Sequence, residues 1–401
     1  MGRKSITTSR NFINFLKFFG PAWLVMMADM DASSTIGAVE TGMSYGYKFV
    51  WFLLLLSVPL FIIQEVSGRI GIATGKGLGE LVRENYNKKI SIFIALPMFL
   101  TDIITYIVEY IGIGIGMSML GVPLIIGIPI AFILHLLIII KRKYIVTEKI
   151  LIAISTTLIL GFALTLAVRG VEPSCSIFYF EPTPNYFFFL AANAGAVIMP
   201  FMLFFQASAT AEKLASLEGF ERKLALKFMR IETIIGSVIT EFLMVMVEMA
   251  STGIPDSTNI YSPSDLARVF SSIAGSYSPY FFGLGLLGAG FLALVVISLG
   301  SAWGTAEALG IPRNKSYKLY LIESVPALLV TLLVPKDMLG NVVLNLLSLF
   351  VIILLGPALV MGILANNPRI MGEYKNNSFQ NVVYWSSITF IFILGLLSQL
   401  S

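Results

Sequence analysis

Residues 29–35 read Asp29-Met30-Asp31-Ala32-Ser33-Ser34-Thr35, two carboxylates and three hydroxyls inside an apolar run that opens at Gly20 and Pro21. A second interruption, Asn193-Ala194-Gly195-Ala196-Val197-Ile198-Met199-Pro200, lies in the middle of a later apolar run. Pro200 has no N–H to offer the carbonyl four residues earlier, so the oxygen of Ala196 is released from the helix ladder. Hydrophobic segments broken at corresponding places in two halves of a chain point to an inverted repeat with a site near the bilayer midplane. A proline kink alone would be ordinary. A polar heptapeptide five spans earlier makes the pair informative.

The surroundings of these breaks fix the class of protein. Of 401 residues, 57% are hydrophobic and 12% charged, about half the charged share of a globular domain. Apolar runs such as 128–140 and 150–168 carry no charge, and with their flanks they are long enough to cross a ~30 Å hydrocarbon core as helices. Barrel strands would alternate instead. The chain reads as an all-α integral membrane protein, with the lipid bilayer as its surroundings.

Eleven spans are expected, at roughly 19–45, 49–68, 91–119, 122–140, 150–169, 186–208, 229–250, 279–302, 319–334, 339–364 and 381–399. With the N-terminus in the cytoplasm and the C-terminus outside, 23 of the 27 Lys and Arg fall on the cytoplasmic side, leaving Lys48, Arg169, Arg268 and Lys336 elsewhere. That asymmetry obeys the positive-inside rule. The basic start, Arg3, Lys4 and Arg10, is read as the flank of the first span and not as a secretory leader. The longest external loop, 251–278, is short enough to be a partly helical cap. Organisation is a single transmembrane domain: repeat one about 19–170, repeat two about 186–364, and an extra helix about 381–399.

Carboxylates remain inside the spans: Asp29, Asp31 and Glu40 in the first, Asp102 and Glu109 in the third, Glu241 and Glu248 in the seventh, Glu323 in the ninth. An ionised side chain at the bilayer centre costs about 2.5–3.5 kcal/mol even on the lenient scale, and such residues normally mark ion or proton paths. With every Lys and Arg assigned to a flank or loop, compensation must come from bound cations, water or protons. Asp102 and Glu109 are seven apart and share a helix face, as do Glu241 and Glu248, which suggests a wet polar crevice and a proton or polar pathway. The cargo ligands expected are Asp31, Asp29, Ser34, the Ala196 carbonyl and the Met199 thioether. Oxygen donors suit hard divalent ions, and a thioether adds preference for softer ones.

Other patterns exclude more than they suggest. One cysteine, Cys175, rules out an intramolecular disulfide framework, and one histidine, His135, rules out most histidine-based metal or catalytic sites. His135 in its apolar span is read as a packing or interfacial residue. The run Gly71-Ile72-Ala73-Thr74-Gly75-Lys76-Gly77 has one residue too few between glycines for a phosphate loop and no Ser or Thr after the lysine. Gly112, Gly114 and Gly116 lie inside the third span, where small residues permit close helix packing. An enzyme is not expected, because no nucleophile and base pair is visible. An amino-acid or polyamine carrier is the rival: it calls for a Gly-rich break that binds a carboxylate through backbone amides.

Several blocks resemble the Nramp family of divalent metal transporters. They are Tyr47, Trp51, Gln64, Arg69-Ile70-Gly71-Ile72-Ala73-Thr74-Gly75-Lys76 with Glu80-Leu81, then Glu109-Tyr110-Ile111-Gly112, Gly195 to Pro200, and Met371-Gly372-Glu373-Tyr374-Lys375-Asn376. The resemblance implies a leucine-transporter-like 5+5 inverted repeat plus one extra helix, in a prokaryotic-type plasma membrane. It also implies alternating-access transport of Mn²⁺ or Fe²⁺, with Mg²⁺ or a broad divalent range as the alternative. The family's Asp-Pro-Gly-Asn falls on Asp31-Ala32-Ser33-Ser34, so its Asp and Met are kept while its Asn becomes Ser34. Phe201 and Gln206 stand where the family has histidines, Tyr106 replaces an acidic residue, and the basic residues of the ninth span are absent. Those are the positions that the resemblance assigns to proton movement, so transport is expected to be weakly or not proton-coupled. No cofactor, nucleic acid or obligate protein partner is expected; the metal ion is cargo, and protons are the other candidate cargo.

Overall fold

The computed structural model describes residues 12–141, 144–172, 176–333 and 340–399. Arg3, Lys4, Arg10, Arg142, Lys143, Cys175 and Lys336 lie outside them. Residues 12–18 are helical. The first span is two helices, α1 (Pro21–Asp29) and α2 (Ala32–Tyr45). There follow α3 (Val50–Thr74), α4 (Leu78–Asn85), α5 (Lys88–Met119), α6 (Leu124–Lys141) and α7 (Tyr144–Arg169). The sixth span is again two helices, α8 (Pro184–Val197) and α9 (Pro200–Ser216). Then come α10 (Arg222–Ser251), α11 (Pro263–Ala274), α12 (Ser278–Leu309) and α13 (Tyr317–Leu333). The chain closes with α14 (Gly340–Ile353), α15 (Leu355–Asn366), α16 (Pro368–Met371) and α17 (Ser378–Gln399).

Every expected span corresponds to helix, and no strand occurs among the described residues. Eight helices there are long and apolar enough to cross a membrane. The other three spans are the broken pair α1 and α2, and the shorter α6 and α13. Proline opens several helices, Pro21, Pro184, Pro200 and Pro263 among them, where its missing N–H costs nothing and its fixed φ suits the first turn. The loop at 251–278 is partly helical as expected. In α11, Leu266, Phe270 and Ala274 turn inward, and Phe270 stacks on Phe282 with ring centroids 4.5 Å apart.

The glycine-rich α12 is the axis of the bundle, packed chiefly on α5, α7 and α9. Its stretch from Leu292 to Ile297 is wholly buried. The α1 helix is enclosed by α10, α12, α9 and α7, while α8 rests on α14 and α17. Both breaks therefore lie inside the bundle.

Two basic residues near helix ends are buried. The α3 helix runs to Thr74, beyond the expected end at 68, and Arg69 is buried within it beside Glu65, with Nε 3.0 Å from Oε1. Lys213 of α9 is also buried, paired with Glu148 and donating to the Phe19 carbonyl at 3.2 Å. Each charge is neutralised by a carboxylate on a neighbouring turn or helix.

Candidate metal site at two helix breaks

The first break is built by Asp31. Its backbone is extended (φ −73°, ψ 179°) and it caps α2, with Oδ1 accepting from the Ser34 N–H at 2.6 Å and the Ser33 hydroxyl at 2.7 Å. Asp is a preferred residue for this position because its side chain satisfies an orphan amide of the first turn. The remaining amides are met from α5. Glu109 accepts from Ala32 N–H at 2.9 Å through Oε2 and from Ser33 N–H at 3.3 Å through Oε1. Gly112, one turn on, allows this approach: a Cβ there would lie 2.2 Å from that of Ala32. Two carboxylates thus meet the positive end of α2.

The second break spans Ile198 and Met199, both off the helical backbone (φ −133°, ψ 88° and φ −91°, ψ 145°). Pro200 restarts the helix. The Ala196 carbonyl, released by that proline, is not idle: the Ser34 hydroxyl donates to it at 3.1 Å. One bond therefore joins the two breaks. Gly195 holds α8 against α14 so closely that a Cβ would sit 1.7 Å from the Leu347 carbonyl oxygen.

Asp31 Oδ2 is buried with no protein partner, and so are both oxygens of Asp29 and both of Glu241. Asp29 lies within electrostatic range of Glu241 and of Asp31. Met199 is fully buried, and its N–H meets the Met202 sulfur at 3.4 Å. Met202 was not singled out from sequence; its place three residues after Met199, in the first turn after the break, was the available signal. Among the described residues no three His, Cys, Asp or Glu side chains converge closely enough to hold a metal ion. An ion here would need neutral donors as well as Asp31, and the Ala196 carbonyl, the Ser34 hydroxyl and the Met199 thioether are of that kind.

Within each acidic stripe the two carboxylates meet different neighbours. Glu248 accepts from Phe49 N–H at 3.0 Å and so caps the start of α3, apart from Glu241. Asp102 sits beside Ser301 and Glu323, two turns away from Glu109; Ser301 donates to Glu323 at 2.5 Å. His135 is fully buried and packs its ring on Tyr320, with centroids 4.9 Å apart, and it is also the centre of a buried polar cluster. Its Nε2 is 2.7 Å from Ser298 Oγ, which is also 2.7 Å from Tyr106 OH, and its Nδ1 is 3.2 Å from Tyr320 OH. A lone histidine in an apolar span gives no sign of such partners, which come from α5, α12 and α13.

Phe201 and Gln206 are fully buried on α9. Neither amide atom of Gln206 has a protein partner, and Gly68 of α3 leaves room for it, since a Cβ there would lie 2.7 Å from Nε2. At the C-terminal end of α2, a cavity of about 380 Å³ is lined by Glu40, Ser44, Asp256 and Tyr261 among others. The N-terminal end of α1 is tied down, with Gly20 and Trp23 N–H both donating to Glu232 at 2.7 Å.

Comparison with known proteins agrees with this geometry. The family description "Natural resistance-associated macrophage protein-like" (Nramp) matches residues 22–401. The divalent metal cation transporter MntH of Bacillus subtilis (strain 168) is 26% identical, over 94% of this chain and 90% of the relative. MntH of Staphylococcus aureus (strain JH9) is 24% identical, over 96% and 91%. Among solved structures, the Eremococcus coleocola manganese transporter superposes with a TM-score of 0.81 at 15% identity, covering 96% of this chain and 87% of that one. With nearly its whole length matched, the chain belongs to the Nramp family of metal transporters.

Proposed function

We propose that this chain moves divalent metal ions of the Mn²⁺ or Fe²⁺ kind across a membrane by alternating access, with Asp31, Ser34, the Ala196 carbonyl and Met199 as the site and Asp29 beside it. The observation that carries the reading is Asp31: one carboxylate oxygen accepts from Ser34 N–H, whose hydroxyl reaches the carbonyl that Pro200 releases, and the other is buried without a partner. A cation supplies what that oxygen lacks. The relatives in Bacillus subtilis and Staphylococcus aureus, divalent metal cation transporters, support the same class of cargo.

The arrangement of repeats, about 19–170 and 186–364 with an extra helix at 381–399, and an N-terminus in the cytoplasm are part of this proposal. So is weak or absent coupling to protons, supported by Phe201, Gln206 and Tyr106 at the positions named above and by the lack of any Lys or Arg between Lys318 and Leu333 in α13. A Mg²⁺ or broad divalent carrier is the second reading. It is favoured by the donor set around Asp31, in which only Met199 is not oxygen.

An amino-acid carrier fits less well. It needs the amides of the first break for a substrate carboxylate, and those of Ala32, Ser33 and Ser34 are already taken by Glu109 and Asp31. Uptake into proteoliposomes of Mn²⁺, Mg²⁺, Ca²⁺ and an amino-acid panel, with an internal pH dye, tests the reading. Saturable entry of Mn²⁺ without matching acidification is expected. Amino-acid uptake with no metal entry would refute it.

A further inference from the structure

Outside the breaks, a cavity of about 310 Å³ lies between α3 and α17. Its lining is apolar at Ile62 and Val66 of α3 and at Phe379 and Val383 of α17, and charged at Glu65, Arg69 and Arg230. Phe379 is 75% exposed, so the wall continues onto the outer surface of the helix bundle. An apolar wall leading to guanidinium groups is an amphipathic site.

The charges there do not cancel. Arg69 spends its donors on Glu65 at 3.0 Å, the Tyr374 carbonyl at 2.6 Å and Asn376 at 2.6 Å. Arg230 donates to the same Glu65 from Nε at 2.8 Å, yet its side chain stays 40% exposed. One carboxylate thus serves two guanidiniums, and a positive charge is left at the mouth. Lys227 and Lys223 share a helix face with Arg230 by their spacing; Lys227 is exposed, and the exposed Lys223–Glu373 pair is of a kind worth little. The start of α17 adds its positive end, capped reciprocally by Asn377 and Gln380 at 2.8–2.9 Å.

This charge stands at the ends of apolar helices, the level of lipid headgroups, and basic pockets between membrane helices bind anionic headgroups. We infer that the cavity binds an anionic phospholipid, its phosphate against Arg230 and an acyl chain along Val66 and Val383. A soluble phosphate compound would have no use for that wall. The site lies apart from the metal reading and does not depend on it.

The test is native mass spectrometry of the purified full chain after incubation with phosphatidylglycerol, phosphatidylcholine of the same acyl chains, or inorganic phosphate. Wild type should retain phosphatidylglycerol in clear preference to phosphatidylcholine, and phosphate should not displace it. Arg230→Gln should lower phosphatidylglycerol retention about fivefold, the effect of one basic residue at a membrane surface, with phosphatidylcholine unchanged. Val383→Trp keeps every charge but fills the wall, and should lower retention too, which decides the matter if the arginine variant does not fold. Equal retention of the two lipids by wild type, undiminished retention by both variants, or displacement by phosphate alone would overturn the proposal.

Discussion

The Ser34 hydroxyl donates to the Ala196 carbonyl at 3.1 Å, across 162 residues of sequence. It ties the break in the first span to the break in the sixth, and both atoms belong to the proposed metal site. A net hydrogen bond of this kind is worth about 0.5–1.5 kcal/mol. Ser34→Ala should therefore raise the KM for Mn²⁺ by roughly two- to tenfold, read from initial uptake rates against metal concentration, while the protein still folds. An unchanged KM would mean that the two breaks hold their places without this bond.

Selectivity rests on sulfur. A thioether contributes little to a hard ion and favours a softer one, so Met199→Ala should weaken Mn²⁺ and Cd²⁺ uptake more than Mg²⁺ or Ca²⁺ uptake. Competition between the ions in one vesicle preparation measures the ratio directly. Equal losses would make Met199 a packing residue and favour the broad divalent reading.

Glu109 answers for two amides of α2. Glu109→Ala would strand the Ala32 and Ser33 N–H groups in a buried place, at about 1–3 kcal/mol each, whereas Glu109→Gln keeps an acceptor oxygen. Thermal unfolding in detergent should show a large loss for Ala and a smaller one for Gln. Similar melting of both variants and wild type would remove the capping role.

How much of this was legible in the sequence follows from the range of each interaction. The break at Asp31 is local, its cap reaching only to Ser33 and Ser34, and Pro200 announces the second break by its missing N–H. Both were readable from a few residues. Glu109 was visible as an intramembrane carboxylate, but its task is set by amides 76 and 77 residues away. Glu248 looked like a partner of Glu241 because a helix face is periodic, yet its partner is Phe49, brought there by packing of α10 on α3. Asp102 and His135 likewise take their meaning from α12 and α13. Burial of Arg69 was missed because its neutralising Glu65 lies one turn back in a segment that read as span and flank.

Proton coupling is the next expectation. Neither Phe201 nor Gln206 has a side chain that titrates, and Tyr106 is engaged with Ser298. Metal entry should leave the lumen of a pH-dye-loaded proteoliposome unacidified beyond the lipid leak, and a pH gradient alone should not drive accumulation. Stoichiometric acidification would show that protons travel with the metal, and Glu109→Gln compared with Glu241→Gln would then tell which carboxylate carries them.

The most direct test of the account is the initial rate of Mn²⁺ entry into proteoliposomes bearing wild type, Asp31→Ala or Asp29→Asn. Saturable entry by wild type, none above leak for folded Asp31→Ala, and a raised KM for Asp29→Asn are the results the account predicts. Undiminished, saturable Mn²⁺ entry through folded Asp31→Ala would contradict it.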